Sequence, residues 1–146
     1  MTKLLAKLAI VAMVGLSSSQ ALAQLLPPTK KAARVAIING PNLEMSLENW
    51  AIVRWTSTNP GGDDDHYGVV HYGTQRNDLN QTAQSHIRLN RSHAETVFRV
   101  RVPGLKPQTT YYYWVTSMGG DGQSDGVKSA VSQFTTPAPG NRIVNN

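Results

Sequence analysis

Residues Gly104 to Val115 read Gly-Leu-Lys-Pro-Gln-Thr-Thr-Tyr-Tyr-Tyr-Trp-Val. Leu105 stands in a proline-containing turn six residues ahead of Tyr111, which opens an aromatic, β-branched run. This spacing suits a tyrosine corner: a buried ring whose hydroxyl returns to the backbone of the turn just upstream and locks one sheet of a sandwich over the other. The feature predicts a fold and carries no chemistry of its own.

The rest of the chain is patterned to match. No window holds a helical period, and strand-like runs recur at short spacing between turn residues. Val35 to Asn39 is predicted as a first strand, ended by Gly40-Pro41. Further strands are predicted over Trp50–Thr56, Tyr67–Tyr72, Gln84–Leu89, Glu95–Val102, Thr110–Met118 and Val127–Thr135. About seven strands with turns every 8 to 12 residues predict an all-β, immunoglobulin-like antiparallel sandwich.

The first 23 residues have the form of a secretory signal. Lys3 and Lys7 precede the apolar run Leu8–Leu16, and Ala21-Leu22-Ala23 supplies the small residues of a cleavage site before Gln24. The run is shorter than the roughly 20 residues a membrane span needs. The mature form is therefore expected to be secreted or periplasmic and not membrane-spanning. Residues 24–34, with Pro27-Pro28 and Lys30-Lys31, are predicted as an extended N-terminal arm. Residues 35–137 form the domain, and 138–146 are expected to be a flexible tail.

The 146 residues include no cysteine, so the domain must rest on its hydrophobic core, and thiol chemistry is excluded. Loss of Lys3 and Lys7 lowers the formal charge from +5 to +3. A mildly basic chain without a clustered basic module gives no expectation of nucleic-acid binding.

Four segments carry a family resemblance: Val53-Arg54-Trp55-Thr56, Val70-His71-Tyr72-Gly73, Leu105 to Val115, and Phe134-Thr135-Thr136-Pro137. In order and spacing they resemble a fibronectin type III domain. The Trp-Thr pair, Tyr-Gly and Leu-Lys-Pro-x-Thr-Thr-Tyr-Tyr-Tyr are most similar to the variant that precedes the catalytic domain in purple acid phosphatases. The resemblance implies a structural core around Trp55, Tyr72, Leu105, Tyr111 and Phe134. It carries over no catalytic residue, because the metal-ligating Asp, Asn and His residues of the catalytic domain have no counterpart in these segments.

Alternation assigns each strand an inside and an outside. Ala51, Val53 and Trp55 face in, leaving Ile52 and Arg54 outward; Phe98, Val100 and Val102 face in, leaving Val97, Arg99 and Arg101 outward. If these two strands are neighbours, Arg54, Arg99 and Arg101 form a basic stripe, which suits solubility or an acidic polymer or headgroup. On the other sheet Tyr112 and Trp114 project outward beside Val69 and His71. Such a cluster is a candidate interaction surface for a protein, a second copy or a glycan, unless an arm or loop covers it.

The acidic loop Asp63-Asp64-Asp65 offers oxygens for calcium but lacks the ligand spacing of an EF-hand, and a solvated turn is the simpler reading. His66 and His71, five apart, should point to opposite faces of one strand. No nucleophile elbow or phosphate loop is present. The expectation is therefore a non-catalytic, exported module for protein interaction, adhesion or extracellular assembly, without a cofactor. Its partner is an unknown protein, or a second copy reached through the N-terminal arm and outer sheet. The alternatives are an accessory domain of a purple acid phosphatase-like system and a glycan-binding module.

Overall fold

The computed structural model describes residues 30–145. The signal-peptide reading and most of the predicted arm lie outside the described residues. Eight strands follow in chain order: β1 Ile37–Ser46, β2 Trp50–Thr58, β3 Asp65–Gly73, β4 Gln81–Arg88, β5 Glu95–Pro103, β6 Thr110–Gly119, β7 Ser132–Thr135 and β8 Ile143–Val144. They make two antiparallel sheets, ordered β5-β2-β1-β8 and β4-β3-β6-β7. The chain is an all-β sandwich of the fibronectin type III kind, with β8 as an addition at one sheet edge.

Strand composition explains the pairing. β2, β5 and β6 are rich in Val, Thr and aromatic residues, which fit a pleated, half-buried surface. β2 and β5 run in unbroken register from Trp50↔Pro103 to Thr58↔Glu95, so Arg54 stands opposite Arg99. Every second residue of β5 and β6 is buried, as a sandwich with one wet face per sheet requires. The core comprises Trp55, Phe98, Val53, Val70, Val100 and Val115 with Tyr72, Leu105, Tyr111, Tyr113 and Phe134. Trp55 and Phe98 stack with centroids 5.0 Å apart. Gly68 is needed beneath them, since a Cβ there would lie 2.9 Å from Trp55 Cη2 and from Val100 Cγ2.

The tyrosine corner is closed. The Lys106 amide donates to the Tyr111 hydroxyl at 3.0 Å. Thr136, in the Phe134–Pro137 segment, completes the corner: its hydroxyl donates to the Lys106 carbonyl at 2.6 Å and accepts from the Thr109 amide at 3.0 Å. Both main-chain groups of Lys106 are thus satisfied by side chains of β6 and of the residue just past β7.

Besides shifts of one to three residues at other strand ends, three larger differences from expectation stand out. β1 does not end at Gly40-Pro41 but runs on to Ser46. Asn39 pairs with Thr56 and Asn42 with Arg54, so Gly40 and Pro41 together oppose Trp55 in a bulge, where a missing N–H is tolerated. Gly40 sits at φ +82, and a Cβ there would lie 2.9 Å from the Arg54 carbonyl oxygen. The last long strand starts at Ser132 and not at Val127. Earlier, the Ser129 hydroxyl accepts from the Val115 amide at 2.9 Å, taking the place of a main-chain carbonyl and interrupting the ladder. The expected flexible tail is instead docked: β8 pairs with Met45 and Ser46, and the Asn145 amide donates to the Glu44 carbonyl at 2.9 Å. An open edge on β1 offers carbonyls that a short apolar pair can take up.

Candidate functional site

The aromatic cluster on the outer face of the second sheet is only partly available. Register places His71 opposite Trp114, Val69 opposite Thr116 and Gly73 opposite Tyr112. His71 and Trp114 stack at 3.8 Å, with planes within 5°. Lys128 Nζ lies 4.2 Å from the Trp114 ring centroid. Two groups that close cannot share one ring face, so Trp114 is held between imidazole and ammonium. Burial, reinforced by the Lys128 charge, holds the His71 imidazole below its ordinary pKa. Neither face of Trp114 is left for a sugar ring. Val69, expected to face solvent, is 7% exposed, flanked in the sheet by Gln84 of β4 and Thr116 of β6. Tyr112 is half-buried at the far end of the row, opposite Gln133 of β7.

The register of β2 and β5 sets Arg54 opposite Arg99, and the three arginines of the stripe differ in their partners. Arg99 makes a two-pronged contact with Glu44, through Nε to Oε2 at 2.8 Å and Nη2 to Oε1. Arg101 lies 4.5 Å over the Trp50 ring. Arg54 alone of the three has no ion pair or ring contact among the described residues.

At one end of the sandwich two carboxylates of the acidic loop, Asp64 and Asp65, have basic partners. Asp64 pairs with Arg91 and Arg88, and the Arg91 hydrogen bond holds its carboxyl below the usual range. Asp65 pairs with His86 at 3.0 Å. His66 turns inward and is 1% exposed, on the opposite face from His71. Its Nδ1 donates to the Asp63 carbonyl at 3.0 Å, and its Nε2 lies 3.4 Å from Asp125 Oδ1, a close approach without a hydrogen bond. Asp125 also accepts from the Ser117 hydroxyl at 2.7 Å. Asp125 lies 59 residues after His66, so only tertiary packing brings the two together. Among the described residues no three or more His, Asp or Glu side chains gather as a metal site.

One feature lay outside the sequence reading. The sandwich is open between β1 and β7. A cavity of about 750 Å³ there is lined by Asn39, Asn42, Arg54, Trp55, Tyr113 and Phe134, among others. A second, of about 660 Å³, continues toward Arg34 and Lys128 and shares Pro41, Asn42 and Ser132 with the first. Trp55 lines this cleft while 1% exposed, and its indole N–H has no acceptor. The sequence held one signal for it, the uncharged, proline-free run Ser132–Thr135 at a sheet edge.

The family model of the purple acid phosphatase N-terminal domain matches residues 41–136. The chain belongs to that family. Among solved structures, the sensor domain of the anti-sigma factor RsgI4 of Pseudobacteroides cellulosolvens is similar at 18% identity and TM-score 0.45, over 77% of this chain and 97% of that one. The FN5 domain of Drosophila Lar is similar at 19% identity and TM-score 0.37, over 69% and 99%. The third fibronectin III domain of human KIAA0343 protein is similar at 17% identity and TM-score 0.39, over 70% and 83%. No curated protein matches the chain.

Proposed function

We propose that this chain is a non-catalytic, exported module for protein interaction, adhesion or extracellular assembly. The observation that carries the reading is where unsatisfied groups remain. On the two outer faces Trp114, Arg99 and Arg101 are already occupied by neighbours within the domain. The open side between β1 and β7 keeps a cleft and an unpartnered Trp55 N–H, and Arg54, unpaired on the outer face of the first sheet, also borders that cleft. Its volume lies within the roughly 300–1,000 Å³ of ligand sites. No residue arrangement described above supplies a nucleophile with its base. His66 and Asp125, the closest acid–base pair inside the fold, are both buried away from solvent.

Export rests on the leader pattern of residues 1–23. A second reading, favoured by the family match alone, is an accessory domain of a purple acid phosphatase-like system. One pair of measurements separates the two. In the first, the full chain is cross-linked in the extracellular fraction of its host; in the second, it is assayed on a phosphate monoester with and without added divalent metal. Cross-linking to a discrete protein without turnover supports the interaction module. Turnover that a chelator abolishes overturns it.

A further inference from the structure

We infer that the open side of the sandwich is an acceptor for an extended, neutral to acidic segment of another polypeptide, which adds to β7 as a fifth strand of the second sheet. The inference rests on the interaction-module reading and gives it a site and a partner chemistry.

Backbone direction supports it first. The Thr136 amide donates to the Thr109 carbonyl, so Thr136 points at β6. By antiparallel alternation Phe134 and Ser132 do the same, and the N–H and C=O groups of Gln133 and Thr135 turn away from β6. They face the side where no strand pairs with β7. Edge protection differs as well. β5, another edge, carries Glu95, Arg99 and Arg101 and ends in Pro103, and β4 carries His86 and Arg88. β7 is Ser-Gln-Phe-Thr, without charge, proline or bulge, and an edge of that kind accepts strands. Across the cleft, β8 and Asn145 cover β1 from Ser46 back to Leu43, which leaves its earlier residues uncovered on that side.

The cleft then specifies the guest. A strand beside β7 places alternate side chains inward over Phe134, Tyr113 and Trp55. An inward hydroxyl or carboxyl oxygen supplies the acceptor that the Trp55 N–H lacks. Charge selects further. Arg54 and Arg34 line the two cavities with no ion pair among the described residues, whereas Glu44 is committed to Arg99. The arm of a second copy carries Lys30, Lys31 and Arg34 and meets like charge there. A different polypeptide, neutral or acidic, fits better.

The test selects decapeptides from a random display library on the immobilised full chain and resynthesises the enriched ones. The expected peptides alternate β-branched with polar residues and carry Asp or Glu. N-methylation of one alternate set of their amides should weaken binding about 10-fold or more, and methylation of the other set should change it less than about 2-fold, as pairing to one strand edge requires. Gln133→Pro, which removes an outward N–H, and Arg54→Glu should each weaken binding about 10-fold while the melting temperature holds. Binding that ignores both methylation register and Gln133→Pro overturns the strand site but leaves the interaction module standing. Enrichment of Lys-rich peptides, or self-association lost in Gln133→Pro, overturns the choice of partner in favour of a second copy. If no peptide is enriched over a Gln133→Pro control, the inference fails, and the cross-linking result decides the broader reading separately.

Discussion

Tyr111 shows how one side chain ties the turn to the core. Its ring packs with Phe134, centroids 5.9 Å apart, and its hydroxyl takes the Lys106 amide. Tyr111→Phe keeps the ring and removes one hydrogen bond; the expected loss is about 1 kcal/mol in denaturant unfolding, larger if the Lys106 amide stays dry. Trp55 is the larger element of the same core. Trp55→Ala opens a cavity between Phe98 and Gly68 and should cost about 3–5 kcal/mol, enough to unfold a marginal domain. Circular dichroism melts of both variants check the pair. Equal melting of variants and parent would place these rings outside the energetic core.

At the scale of elements, the edges of the sheets govern behaviour. β8 contributes only Ile143 and Val144 plus the Asn145 contacts to Glu44 and Leu43, yet it occupies the end of β1. A chain ending at Pro139 also loses the hydrogen bond from the Gly140 amide to Glu48, 2.8 Å long. Its unfolding free energy should fall by about 1–2 kcal/mol with the fold retained. Chemical denaturation compared with the full chain measures this, and an unchanged midpoint would make β8 a passive appendage. The segment from Val127 to Ala130 has a comparable role on the other sheet, where Ser129 and Lys128 fasten it to Val115 and Trp114.

For the whole molecule, stability should depend on pH through His71. Its folded pKa is depressed, first by burial and then by Lys128, so the unfolded chain binds the proton more readily. Stability contributed in this way is complete above the unfolded value of about 6.5 and is lost as pH falls through 6.5 toward the folded value. The parent should therefore lose more melting temperature between pH 7.5 and 5.5 than His71→Phe, which keeps a ring against Trp114. Equal losses in the two proteins would assign the pH dependence to other groups.

The fold was legible in the residues because its determinants are local. Alternation in Trp50–Trp55, Glu95–Val102 and Thr110–Val115 sets which side chains are buried, and the Leu105–Tyr111 spacing sets the corner. Arg54, Arg99 and Arg101 fell on one face for the same reason, and so did Tyr112, Trp114 and His71. Burial of Val69, neutralisation of Arg99 by Glu44 and the docking of β8 were not legible, since each depends on partners far along the chain. The same holds for the cleft. The sequence by itself determined the strands, their faces and the corner, because period and turn chemistry act over a few residues. Only the tertiary structure decided which outward groups stay unsatisfied, because that depends on the bulge at Gly40-Pro41, the late start of β7 and the gap these leave over Trp55.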